Sequence, residues 1–232
     1  MAGVRTGISG QVNNNIVTDG LEFYIDAAYN SSYPGSGTTI TDLIGTNNGT
    51  LTNSTFQTNN NGVIDFDGVD EDIRWGAITS GNILALQNNF TNCIWTKRTG
   101  NTSHSNVMVI WQQRRSNLGY GYTGTAGTTT NKLYSYVGAS SLNGDNVLAV
   151  DTWHHFAFTI DGSNSAALYV DAVLQDSGTR NAENPVNSHF YIGSSGGNYA
   201  DMEMSNASFY SRALSAAEIK QNYQAQKERF GL

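Results

Sequence analysis

The stretch from Trp153 to Leu174, WHHFAFTIDGSNSAALYVDAVL, constrains this chain more than any other. It alternates with a period of two. Phe156, Phe158 and Ile160 fall on one side, and His155, Ala157 and Thr159 on the other. After the polar turn Asp161-Gly162-Ser163-Asn164-Ser165, the run from Ala166 to Val170 alternates again, with Leu168 and Val170 together. Two such runs joined by a short loop containing Asp-Gly read as a β-hairpin. The corner Asp171-Ala172 then turns the chain into a third strand beginning at Val173. Strands this apolar require a second layer to cover them.

Further short runs repeat the pattern. Leu21 to Asp26, Val63 to Phe66, Asp72 to Trp75, Asn89 to Lys97, Val107 to Gln112, Leu118 to Tyr122, Lys132 to Val137, Phe190 to Ile192 and Met202 to Tyr210 all read as strands. Thr38 to Leu43 and Asn48 to Thr52 are shorter candidates, while Tyr33-Pro34-Gly35-Ser36-Gly37 is a turn. Their spacing predicts a sandwich of two antiparallel sheets. One helix is expected at the end, where Ser215-Ala216-Ala217-Glu218 forms a capping box. Ile219 and Tyr223 share one of its faces, Lys227 and Arg229 sit at its negative end, and Gly231 stops it.

Composition supports one large all-β domain in 232 residues, with only 13% charged side chains against a typical ~25%. Asn, Thr, Ser and Gly fill the gap, as many short strands joined by turns require. A net charge of -7 argues against nucleic acid, which calls for a basic surface. The single Cys93 excludes a disulfide framework and reads as a buried, inert thiol. MAGVRTGISGQVNNN lacks the apolar core of a secretory signal, and no run is long enough for a membrane span. Residues 1–17 read as an N-terminal arm and 18–232 as the domain.

Several runs together resemble the laminin G-like, concanavalin A-like lectin/glucanase superfamily. They are Asp19-Gly20-Leu21 to Ala27 with the SYPGSG turn, and Ile64-Asp65-Phe66-Asp67-Gly68-Val69-Asp70. Trp153-His154-His155 to Gly162, Leu168-Tyr169-Val170-Asp171, Tyr191-Ile192-Gly193 and Tyr210-Ser211-Arg212-Ala213-Leu214-Ser215 with Glu218, Ile219, Asn222 and Tyr223 continue the likeness. The resemblance implies an all-β concanavalin A-like jelly roll with a short C-terminal helix, its first and last strands neighbours in one sheet. The opening SYPGSG with the closing SRALSAAEIKQNY and Arg229-Phe230-Gly231-Leu232 is similar to virion proteins of tailed bacteriophages. That likeness implies a surface decoration or a tail or fibre appendage, made in the host cytoplasm and carried on the virion.

Chemistry is sparse. Retaining glycanases place two carboxyls about 5–5.5 Å apart, and no E-x-D-x-x-E strand supplies them here. The densest acidic run, Asp65 to Asp72, is better read as a calcium corner or a solvated turn. Calcium is the one cofactor considered, and Ser205-Asn206 stands where many relatives carry an acidic pair. His154 and His155 are adjacent on a strand and face opposite ways, so they cannot serve one metal. No Ser-His-Asp arrangement is legible. A glycan-binding set is Trp111, Gln112, Arg114, Tyr120, Tyr122 and Tyr134, aromatic faces beside planar hydrogen-bonding groups on successive strands.

The expectation is therefore a non-enzymatic virion protein. Its partners are other virion proteins through the arm, host polysaccharide, and further copies of itself, with no nucleic acid and no membrane. A free-standing lectin module and a divergent glycoside hydrolase are the alternatives.

Overall fold

The computed structural model describes residues 15–78, 89–100, 105–111, 116–120, 132–137, 140–180, 188–195 and 198–232. The first strands are β1 (Leu21–Asp26), β2 (Thr39–Ile40), β3 (Gly49–Thr52), β4 (Thr55–Gln57), β5 (Val63–Asp67) and β6 (Asp72–Ile78). Then come β7 (Phe90–Arg98), β8 (Ser105–Trp111), β9 (Ser116–Tyr120), β10 (Lys132–Val137), β11 (Ser140–Val147) and β12 (Trp153–Ile160). The last are β13 (Ser165–Val170), β14 (Val173–Thr179), β15 (Ser188–Ile192), β16 (Ser194–Ser195), β17 (Asn198–Tyr199) and β18 (Asp201–Tyr210), followed by α1 (Ala216–Gln226).

Sixteen of them pair into two antiparallel eight-stranded sheets, and β16 and β17 form a two-stranded sheet of their own. The back sheet runs β14-β13-β12-β7-β18-β5-β4, with β1 also on β18; the front sheet runs β11-β10-β9-β8-β15-β6-β3-β2. The expected hairpin is present in register, Phe156 opposite Val170, Phe158 opposite Leu168 and Ile160 opposite Ala166. The first and last strands are neighbours, as the resemblance implied. β18 pairs β5 through residues 201–204 and β1 through 206–210, while its register on β7 shifts between Met204 and Asn206. The residue at the handover, Ser205, gives its carbonyl to the Ala27 N–H at 2.9 Å. A bulge at that point lets one strand serve two partners along a single edge.

Between the sheets, Phe23, Ile25, Ile64, Phe66, Ile94, Phe156, Phe158, Met202 and Met204 meet Leu51, Ile73, Trp75, Leu118, Leu133, Phe190 and Ile192. Gly49 is glycine for close approach, because a Cβ there would stand 2.8 Å from the Trp75 ring.

The back sheet is covered on its other side as well. Leu21, Tyr24, Cys93, Ala157, Tyr169 and Tyr210 pack with Ile16, Val17, Leu214 and Ile219. Beside them Trp95 stacks with Tyr223 (5.6 Å) and with Phe230 (4.3 Å). Strands apolar on both faces, such as β7 and β12, follow from this double burial. The expected capping box forms, with the Ser215 hydroxyl accepting from the Glu218 N–H and Glu218 Oε2 accepting from the Ser215 N–H. Arg212 adds a 2.6 Å ion pair to Glu218, which holds that carboxyl down at about 2.

Three expectations shift. Ile16 and Val17 are buried, Val17 donates its N–H to Asn222 Oδ1 at 2.8 Å and accepts from the Tyr210 hydroxyl, so residues 15–17 belong to the packed domain; 1–14 lie outside the described residues. The candidate strand over Thr38 to Leu43 shortens to β2, because the buried Asp42 carboxylate takes the N–H groups of Tyr24, Ile44 and Asn47. Arg229 is not a charge complementing the helix end. Its Nη1 lies 2.8 and 3.0 Å from the two oxygens of Asp26, whose side chain is 0% exposed. Its Nε and Nη2 donate to the carbonyls of Asn60 and Gly62, at 2.6 and 2.8 Å. Asp26 also receives the Tyr24 hydroxyl and the Ala28 N–H. Removing one member of a buried pair strands the other charge. Arg229→Ala should therefore lower unfolding free energy by roughly 3–5 kcal/mol in a urea melt, whereas Ser215→Ala should cost about 1 kcal/mol.

Candidate functional site

The expected glycan set divides. Trp111 ends β8, Tyr120 ends β9 and Tyr134 lies in β10, so the backbone brings three of the six onto adjacent strands of the front sheet. The register sets Trp111 opposite Ser116, Tyr120 opposite Leu133 and Tyr134 opposite Gly119. Tyr134 is buried. Gln112, Arg114 and Tyr122, with the side chains of Trp111 and Tyr120, lie outside the described residues.

The acidic run is engaged by its own turn and by neighbouring strands. Asp65 accepts from Gln57 Nε2 at 2.8 Å, Asp67 from the Val69 N–H at 2.8 Å, and Glu71 from the Asp67 N–H at 2.9 Å. Asp72 takes the Ser194 hydroxyl and the Arg74 guanidinium on its Oδ2. Among the described residues no group of three or more His, Cys, Asp or Glu side chains is arranged to hold a metal. Burial, reinforced by a hydrogen bond with the Asp67 carboxyl, pushes the Glu71 carboxyl up to about 7.

The two histidines do face opposite ways, and Asp171 serves both. His154 Nδ1 donates to Asp171 Oδ2 at 2.8 Å, while the His155 N–H donates to Oδ1 at 2.8 Å. Asp171 and Ala172 both have left-handed φ, 50° and 65°, which shapes this hairpin corner. The His155 ring is buried against Trp95, and desolvation draws it down to about 4. Burial likewise pushes the Cys93 thiol up to about 12, so the inert reading of that thiol holds.

A cluster not singled out in the sequence stands on the front sheet. Asp72 and Arg74, two residues apart on β6, meet at 3.1 Å; the Arg74 side chain is 53% exposed and that of Asp72 2%. The guanidinium carbon lies 5.0 Å from the centre of the Tyr191 ring on β15, which the register sets directly across from Arg74. Thr50 pairs Arg74 from the other side and is exposed. The alternation of DIRWG could have placed Arg74 outward, since Ile73 and Trp75 enter the core. Tyr191 comes from a distant strand, and nothing in the sequence joins the two.

A family model described as the concanavalin A-like lectin/glucanases superfamily, of laminin G type, matches residues 67–220. No curated protein matches the chain. Among solved structures, Trypanosoma rangeli sialidase in complex with 2,3-difluoro-KDN is similar at a TM-score of 0.70 and 18% identity, over 92% of this chain and 34% of the sialidase. The fourth domain of an extracellular arabinanase from Geobacillus stearothermophilus, in complex with arabinotriose, gives 0.65 and 16%, over 89% of this chain and 100% of that one. The botulinum neurotoxin serotype D binding domain gives 0.64 and 14%, over 90% and 52%. This chain spans about a third of the sialidase it matches, and at these identities the likeness is one of fold.

The two shifted groups oppose each other with pH. Glu71 is raised from its ordinary 4.5, so its contribution to stability is full below about pH 4.5 and is lost as pH rises through about 7. His155 is lowered from 6.5, so its contribution is full above pH 6.5 and is lost as pH falls towards about 4. Glu71→Gln should therefore make Tm fall more steeply between pH 7 and 4.5 than in the unmodified chain. His155→Gln should flatten or reverse that fall. Identical Tm-against-pH curves for all three proteins would contradict both assignments.

Proposed function

Since this chain belongs to the concanavalin A-like lectin/glucanases superfamily, we propose that it is a non-enzymatic structural protein of a tailed-bacteriophage particle, displaying its front sheet outward with a capacity for host glycan. The observation that carries the reading is the asymmetry of the two sheets. Residues 15–17, α1 and the aromatic stack cover the middle of the back sheet, on β1, β18, β7, β12 and β13, while the front sheet keeps Arg74 and Thr50 in water. Asp65, Asp67, Glu71 and Asp72 accept hydrogen bonds from the backbone of their turn and from side chains of neighbouring strands, a structural use that supports the non-enzymatic reading. Attachment to other virion proteins is assigned to the segment before residue 15, and further copies of the chain are natural neighbours on a symmetric particle.

A free-standing lectin module is the second reading, favoured by the arabinanase domain solved with arabinotriose. An antibody against this chain should decorate intact purified particles, and deletion of residues 1–14 should abolish incorporation while the Tm holds. The antibody finding nothing on particles that carry the gene would contradict the virion role. Release of reducing sugar from host polysaccharide would contradict the non-enzymatic one. EDTA should leave Tm unchanged, since this reading places no calcium at the acidic corner.

A further inference from the structure

Arg74 is held at one end and open at the other. Its Nη2 meets the buried Asp72 carboxylate, which the Ser194 hydroxyl fixes in turn. The Tyr191 ring backs the guanidinium plane. Among the described residues Nε and Nη1 have no protein acceptor, and about half the side chain is in water. A surface ion pair of two mobile side chains contributes little to stability. Here the carboxylate is buried and only the cation is displayed, so the pairing serves to orient a planar fork of N–H donors.

Space lies beside it. Gly76, two residues along β6 and therefore on the same side of the strand as Arg74, has no atom of the described residues within 4 Å of where a Cβ would sit. It is exposed, and its φ is not left-handed, so neither its conformation nor its packing against the described residues demands glycine there. Glycine in a strand otherwise costs stability, and a flat shelf for a ligand ring is what it gains. The Thr50 hydroxyl stands across from Arg74 on β3.

We propose that Arg74, oriented by Asp72 and Tyr191 and flanked by Thr50 and the Gly76 shelf, receives the carboxylate of an acidic sugar, of uronate or sialate type, in a surface polysaccharide. A carboxylate oxygen can accept a charge-assisted hydrogen bond from the open Nη1 N–H groups. The Asp72 carboxylate 3.1 Å away offsets the cation, and the net charge is -7, so a dianionic phosphate is disfavoured more than a monoanion. The proposal rests on the reading that the front sheet recognises glycan and names the sugar class that it takes.

The test titrates the full chain, followed by NMR, with trigalacturonate and 3′-sialyllactose against galactotriose and lactose. At least one acidic probe should bind, and its neutral counterpart should bind tenfold more weakly or not at all. Arg74→Ala should lose about tenfold or more, and Arg74→Lys, which lacks the fork, several-fold. Gly76→Leu should abolish binding while leaving Tm equal or higher, separating occlusion from misfolding. Acidic probes that bind all variants equally overturn the proposal, as do neutral probes that bind as tightly; the glycan reading then survives. If none of the four binds, both fall together.

Discussion

The contact on which the rest of this structure depends is the buried pair Asp26–Arg229. It joins the end of β1 to the last turn of the chain, and through the carbonyls of Asn60 and Gly62 it pins the turn that leads into β5. A carboxylate with no exposed surface survives only if its lone pairs are answered. Asp26 has the guanidinium, the Tyr24 hydroxyl and the Ala28 N–H, and Tyr24 is reached in turn by Gln226 Nε2 at 3.1 Å. Gly62 is glycine because of this closure. With φ at 131°, a Cβ there would lie 2.5 Å from the Ala27 carbonyl oxygen.

From that latch follows the division of labour between the sheets. Once the C-terminal segment is held, Phe230 and Tyr223 can stack with Trp95, Phe230 reaches Trp153 at 4.6 Å, and Ile219 packs with Cys93 and Tyr210. Strands β7, β12 and β18 of the back sheet are thereby buried on both faces. The front sheet remains the side on which a charged side chain can be presented to a partner. A fold of this kind hosts many functions, and side chains rather than the fold distinguish its members.

How much of this the sequence disclosed depended on how local each signal was. The hairpin from Trp153 was legible because alternation and turn chemistry lie within one short run, and the capping box because it spans four residues. Arg229 was misread as a helix-end charge because its true partner, Asp26, lies at the other end of the chain. Strand β2 came out short because one side chain, Asp42, outcompetes a neighbouring strand for N–H groups. Of the expected glycan residues, Tyr134 is a buried sheet residue. Arg74 passed unnoticed because its aromatic partner arrives only through the pairing of β6 with β15.

The most direct measurement is residue-resolved amide hydrogen exchange on the intact chain. If the Asp26–Arg229 latch makes α1 part of the sandwich, α1 should open with the same free energy as β1 and β18, and Arg229→Ala should lower all three together. If α1 exchanges orders of magnitude faster than β18 in the unmodified protein, the helix is an appendage, the middle of the back sheet is not covered, and the two-sided account fails.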